Sequence, residues 1–164
     1  MIIKRGSTCN HKKKGMIKIG LLVMSLQLSV TGFGQTAIDS VKLVVNNFFT
    51  AMNMSDKAAL TNTLADSAVL QTIVTTQGNV QVKNKSVSAF INSISKLPKG
   101  AADERITFKS VMADGDLATA WTPYQFYLNG KFSHCGVNSF QLVRIKGEWK
   151  IQYIIDTRRK TNCI

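Results

Sequence analysis

The stretch that decides the fold is Arg105–Arg159, RITFKSVMADGDLATAWTPYQFYLNGKFSHCGVNSFQLVRIKGEWKIQYIIDTRR. Apolar and polar residues alternate through it, and three dipeptides, Asp114-Gly115, Asn129-Gly130 and Lys146-Gly147, interrupt the alternation. Asn-Gly and Asp-Gly between alternating runs are strong hairpin signals, because type I′ turns need positive φ at both central residues. Lys-Gly is a weaker version of the same signal. The stretch reads as four consecutive antiparallel strands joined by three tight turns.

Two-residue loops fix a register, in which Phe108 faces Trp121, Trp121 faces Asn138, and Asn138 faces Ile155. One face then collects Ile106, Phe108, Ser110, Met112, Leu117, Thr119, Trp121, Gln125, His134, Asn138, Phe140, Leu142, Trp149, Ile151, Tyr153 and Ile155. The other collects Thr107, Lys109, Ala118, Thr122, Ser139, Gln141, Lys150, Gln152 and Asp156. The first face is the one expected to be buried. Its polar members Ser110, Thr119, Gln125, His134 and Asn138 would each cost about 1 to 3 kcal/mol if left unbonded, so they predict an internal network or a wet cavity. Gln125 pairs with His134 across the Asn129-Gly130 hairpin in this register, which puts the opening at that end of the sheet. Ligand pockets are mostly apolar with a few convergent polar groups, so Phe108, Trp121, Gln125, His134, Asn138, Phe140 and Tyr153 are the candidate ligand-binding residues.

Ahead of this stretch, Lys12, Lys13, Lys14 and Lys18 precede an apolar run over Ile19–Val30, followed by Gly32 and Gly34 in the small-residue positions of a cleavage site. Residues 1–34 are expected to be a secretory signal peptide cut between Gly34 and Gln35, with Met16 as an alternative start that would remove Cys9. A membrane anchor is the competing reading, but about 12 apolar residues fall short of the roughly 20 a spanning helix needs. The expected location is therefore the periplasm of a bacterium or the outside of the cell, with no stable membrane insertion once the leader is gone. Without the leader the net charge falls from +12 to +6, and only Arg158-Arg159-Lys160 clusters positive charge. That pattern argues against a nucleic-acid partner.

Two cysteines remain, Cys135 and Cys163. An oxidising compartment permits a disulfide that would staple the C-terminal tail to the sheet, and two free thiols or a nucleophile are the alternatives. Two Cys and one His at unpatterned spacing predict no metal site, and nothing in the chain predicts a cofactor.

Residues 35–164 are expected to form one domain. Val41, Val44, Val45, Phe48, Phe49 and Met52 recur at helical spacing over Ala37–Met52. Ser55-Asp56 caps a short second helix, Ala68–Val74 reads as a strand turned back at Gln77-Gly78-Asn79 into Val80–Val82, and Ser86 caps a third helix that stops before Leu97-Pro98. Lys99–Asp103 reads as a polar connector. Helices followed by an antiparallel meander with one apolar face make an α+β fold.

This order resembles the nuclear transport factor 2-like superfamily. The resemblance is carried by the break at Asn53-Met54-Ser55-Asp56, by Phe132-Ser133-His134-Cys135-Gly136, by Gly147-Glu148-Trp149-Lys150-Ile151 and by Asp156-Thr157-Arg158-Arg159. The chain is especially similar to the small exported bacterial branch labelled SnoaL-like or lumazine-binding. The resemblance implies a cone-shaped half-barrel, with three N-terminal helices packed on a strongly curved, mainly antiparallel sheet, a pocket at the wide end, and a homodimer built on the outer sheet faces. Isomerase members of the superfamily are expected to carry a carboxylate base inside the cone, and here the register places no Asp or Glu on the inner face and turns Asp156 and Glu148 outward.

Function is expected to be the binding of a small apolar or aromatic molecule inside the cone, without assigned catalysis. A hydrolase or isomerase using His134 as general acid or base is an alternative, weakened because no orienting carboxylate is predicted beside that ring. A dimeric interaction module with a closed cone is the third reading.

Overall fold

A computed structural model describes residues Thr31–Cys163. The leader expected over residues 1–34, with Met16 and Cys9, lies outside the described residues for all but its last four positions. Among the described residues no helix is long and apolar enough to cross a membrane.

The described residues open with helix α1 (Thr31–Asn53), which starts six residues before the apolar stripe predicts. Its buried stripe is Val41, Val45, Phe48, Phe49 and Met52. Ser55 takes a positive φ, and the Asp56 carboxylate then accepts a hydrogen bond from Ala59 N, opening α2 (Lys57–Asn62). Strand β1 (Leu64–Thr76) turns through Gln77-Gly78, both at positive φ, into β2 (Asn79–Lys85). The Ser86 hydroxyl accepts from Ala89 N and starts α3 (Val87–Ile94).

The meander is where expectation and structure part. Its first strand is broken in two, β3 (Ala102–Ile106) and β4 (Ser110–Asp114), and both pair with β5 (Leu117–Leu128). Then come β6 (Lys131–Ile145) and β7 (Glu148–Thr157). The sheet runs β2-β1-β7-β6-β5-β3 with β4 also on β5, antiparallel except that β1 lies parallel to β7. Three helices on a curved, unclosed and mainly antiparallel sheet are the expected α+β half-cone. The phenyl rings of Phe48 and Phe49 stand edge-on to Phe140, and Phe90 stacks on Phe48, so the aromatics fasten α1 and α3 to the middle of β6.

The turns form, but the register needs correction. The first hairpin closes on Gly115-Asp116, so Trp121 faces Ser110 and not Phe108. Near the second turn Tyr127 faces Phe132 and Phe126 faces His134, which leaves Ser133 as an extra residue. Near the third, Leu142 faces Ile151 and Gln141 faces Tyr153, which leaves Gln152 as another. Each bulge reverses the in-out alternation beyond it. Ala118, Ala120, Thr122 and Tyr124 are therefore the buried residues of β5, while Trp121 is 47% exposed and Met112 and Leu117 are exposed too. Beyond the second bulge Ile154 and Asp156 turn inward in place of Tyr153 and Ile155. Both bulges are hidden in the sequence because the sum rule for opposing residues assumes an uninterrupted ladder.

Candidate functional site

Between α1, α3 and the inner face of the sheet lies a cavity of about 70 Å³. Its apolar wall comes from Phe48, Phe49 and Met52 of α1, Phe90 of α3, Phe140 of β6 and Ile154 of β7. Beside Gln71 and Thr72 of β1, its polar wall includes five side chains that sequence spacing does not connect: Lys85 at the end of β2, Glu104 on β3, Asn138 on β6, and Asp156 and Arg158 at the end of β7. A larger hollow of about 910 Å³ runs along exposed residues of α1 such as Ser40, Leu43 and Asn47 toward Arg144 and Trp149. It lacks the convergence of buried titratable groups that distinguishes the inner cavity, and such groups are the better mark of a site.

Four hydrogen bonds organise the polar wall. Asn138 Nδ2 donates to Glu104 Oε1 at 2.8 Å. Arg158 Nε donates to Asp156 Oδ2 at 2.7 Å, and the Tyr124 hydroxyl donates to the same oxygen at 3.2 Å and to Thr157 O at 2.9 Å. Gly136 makes the tyrosine's position possible, since a Cβ there would stand 1.8 Å from Thr157 O and 2.9 Å from the Tyr124 ring. Beside Asn138, its register partner Thr122 is fully buried, and Oγ1 has no hydrogen-bond partner among the described residues.

Electrostatics follow from this enclosure. Burial above all, with the Asp156 charge adding to it, raises the Glu104 carboxyl from 4.5 to about 7 against the opposing hydrogen bond from Asn138 and the Arg158 charge. Glu104 is half-buried as a residue and lines the cavity. Burial raises the Tyr124 hydroxyl well above the usual phenol range, followed by the Asp156 and Glu104 charges, so it remains a donor. Lys85 is exposed as a residue, yet its ammonium lies 4.9 Å from the centre of the Phe90 ring. That partial burial, followed by repulsion from Arg158, lowers its pKa.

Of the candidate residues read from sequence, the structure brings Asn138 and Phe140 into the cavity. Phe108 packs at the edge of the core. Trp121, Gln125 and Tyr153 stand on the outer side, where Gln125 accepts a hydrogen bond from Tyr127 and Tyr153 donates one to Gln71. His134 shares the inner face with Tyr124 and Phe126 but does not line the cavity, and its Nδ1 pairs with Ser133 Oγ at 3.0 Å. Burial and then the Arg158 charge lower its pKa. The expected absence of inner carboxylates is overturned, because Asp156 turns inward after the Gln152 bulge and Glu104 enters from a strand that begins in the supposed connector. Ala101 and Ala102, both buried, were the available signal that this segment is not a loop.

Cys135 is joined to Cys163, and Cys135 also exchanges backbone hydrogen bonds with Arg159, so the tail carrying Arg158 is held against β6. Among the described residues no three His, Cys, Asp or Glu side chains converge as metal ligands.

Comparison with known proteins places this geometry. No curated protein matches the sequence. Among solved structures, a protein of unknown function from Shewanella baltica OS155, described as NTF2-like, superposes with a TM-score of 0.61 at 10% identity, covering 77% of this chain and 97% of that one. An NTF2-like protein of unknown function from Methylobacillus flagellatus KT gives 0.59 at 18% identity, with 83% and 98% coverage. A protein of unknown function with a cystatin-like fold from Nostoc punctiforme PCC 73102 gives 0.57 at 12% identity, with 74% and 90% coverage. At these identities the likeness is one of fold. Residues 36–153 match the family described as "Putative lumazine-binding", and the chain belongs to that family and shares the fold of the NTF2-like structures.

Proposed function

We propose that the protein binds a small organic molecule in the cavity between α1, α3 and the sheet. One observation carries the reading: an aromatic and aliphatic wall faces a polar wall whose carboxyl, amide, ammonium and guanidinium groups converge from four separate strands and strand ends. The family description supports a flat, hydrogen-bonding ligand. The volume of about 70 Å³ supports a small one, or one of which only an edge enters, since ordinary ligand sites run to roughly 300 to 1,000 Å³.

The domain is further proposed to act outside the cytoplasm. The leader pattern over residues 1–34 and the Cys135–Cys163 bridge both support this, since such bridges persist in oxidising compartments. Exposed apolar residues on the outer sheet face, Val82, Met112 and Trp121 among them, favour a homodimer through that face.

Native mass spectrometry of the chain purified from its own host tests the binding reading. The expected result is a small-molecule adduct that leaves on denaturation and is lost from a Phe140→Ala, Asn138→Ala double variant. An adduct that survives both substitutions would show that the ligand sits elsewhere.

A further inference from the structure

The cavity holds a cation that neither of its carboxyl groups pairs with. Two cations line it, Lys85 and Arg158, together with two carboxyl groups, Glu104 and Asp156. Asp156 is engaged by Arg158 and by the Tyr124 hydroxyl. Glu104 is enclosed and bonded to Asn138, and its ionisation is suppressed by that enclosure. The cation left without a carboxylate partner is Lys85.

Lys85 is placed to use that charge on something other than protein. An ammonium has three donors, and among the described residues Lys85 Nζ has no hydrogen-bond acceptor and no carboxylate at ion-pair distance; its partner is the face of the Phe90 ring. A cation partly withdrawn from water and lacking an acceptor is what an incoming oxyanion satisfies best. Arg158 engages Asp156 through Nε, which leaves the terminal amino groups of its planar fork for a second acceptor. The strands β2 and β7 flank β1, so the two cations reach the cavity from either side of one strand.

We propose that Lys85 and Arg158 form an anion clamp at the cavity mouth that holds the carboxylate of a small organic monocarboxylic acid, whose short apolar part enters between Phe90, Phe140 and Ile154. This rests on the reading of the cavity as a binding site and adds the chemical class of the ligand. One ammonium without a carboxylate, beside a guanidinium already paired to Asp156, matches a monoanion better than a phosphate dianion. The small volume matches a short chain or the edge of one ring, with the charged end at the opening. Two devices keep the clamp in place: the Phe90 face under the Lys85 ammonium, and the bridge from Cys135 to Cys163 that ties down the segment following Asp156.

The test is a calorimetric or NMR titration of the full chain with butyrate and benzoate, each against its uncharged amide, butyramide and benzamide. Each carboxylate is expected to bind at least about tenfold more tightly than its amide, as charge-assisted hydrogen bonds require. Lys85→Met is expected to bring acid and amide within about twofold of each other by removing one of the two charges, and Lys85→Arg to restore most of the preference. Because Lys85 is exposed, the methionine variant is expected to fold, and a denaturant midpoint matching that of the unsubstituted chain is the control. Equal affinities for acid and amide in the unsubstituted chain, or a preference that survives in Lys85→Met, would overturn the clamp and leave the cavity as a binding site. Failure of both carboxylates to bind would overturn the clamp, while the binding reading stands or falls separately on the native small-molecule adduct.

Discussion

Leu142 and Asn138 stand four residues apart on β6, on the same face of the sheet, and are both buried, at 0% and 4% exposure. Leu142 lies opposite Ala118 and Ile151, in a half of the inner face where every neighbour is apolar. Asn138 lies opposite Thr122 and Asp156 and donates to Glu104, in a half where nearly every neighbour is polar. Phe140 sits between them, under the rings of Phe48 and Phe49. One strand thus serves two purposes, with an aromatic layer as the boundary. The apolar half is stabilised by removing surface from water, which needs no specific partner. The polar half is stable only where hydrogen bonds and ion pairs close, and its groups remain chemically available wherever they do not.

The boundary itself gives the largest expected effect. Phe140→Ala should cost about 3 to 5 kcal/mol in urea unfolding, since it deletes a fully buried ring in contact with two others. A loss below about 1 kcal/mol would mean that the aromatic layer collapses easily and that the two halves are not separately packed.

The polar half should show itself through pH. The Glu104 carboxyl is raised in the folded protein from 4.5 to about 7. Between those values the folded state holds a proton that the unfolded state has released, so this group's contribution to stability falls as pH rises through the window. The drop is on the order of 3 kcal/mol at most, at about 1.4 kcal/mol per pKa unit. Glu104→Gln keeps an acceptor for Asn138 and removes the titration. Its stability relative to the unsubstituted chain should therefore grow from pH 4.5 to pH 8, measured by denaturant unfolding across that range. Asp156, Arg158, Tyr124, Lys85 and His134 face the same region and are present in both proteins, so the difference between the two curves isolates Glu104. A difference that does not change with pH would place the carboxyl in contact with bulk water and dissolve the contrast between the halves.

The apolar half was legible in the sequence and the polar half was not, for the same physical reason. Val41, Phe48, Leu142 and Ile151 announce themselves by spacing, because burial selects residue type at a fixed period. Caps at Asp56 and Ser86 and turns at Asn129-Gly130 and Lys146-Gly147 are equally local signals and form where expected. The bulges at Ser133 and Gln152 are not local signals. They respond to the curvature of the whole sheet, and they decide that Asp156 points in and Tyr153 out. Glu104 escaped because it entered from a segment that reads as a connector, and Lys85 because an exposed strand end carries no pattern. His134 stood out for its chemistry alone, and its ring ends against Tyr124 and Phe126 rather than in the cavity.

The smallest expected effect concerns the one place where the polar half fails to close. Thr122 is fully buried, and its Oγ1 has no partner among the described residues, although Asn138 lies directly opposite. An unsatisfied buried hydroxyl is destabilising, so Thr122→Val, which keeps the branched shape, should stabilise the ligand-free protein by about 1 kcal/mol. The same change should weaken binding of any ligand that reaches the Asn138 side of the cavity, because the hydroxyl is then missing from the complex. Stabilisation in the free protein together with weakened binding would mark the hydroxyl as a group held in reserve for a ligand. If Thr122→Val destabilises the free protein instead, the hydroxyl is satisfied by a bound water, and the polar half is as complete without a ligand as the apolar half is.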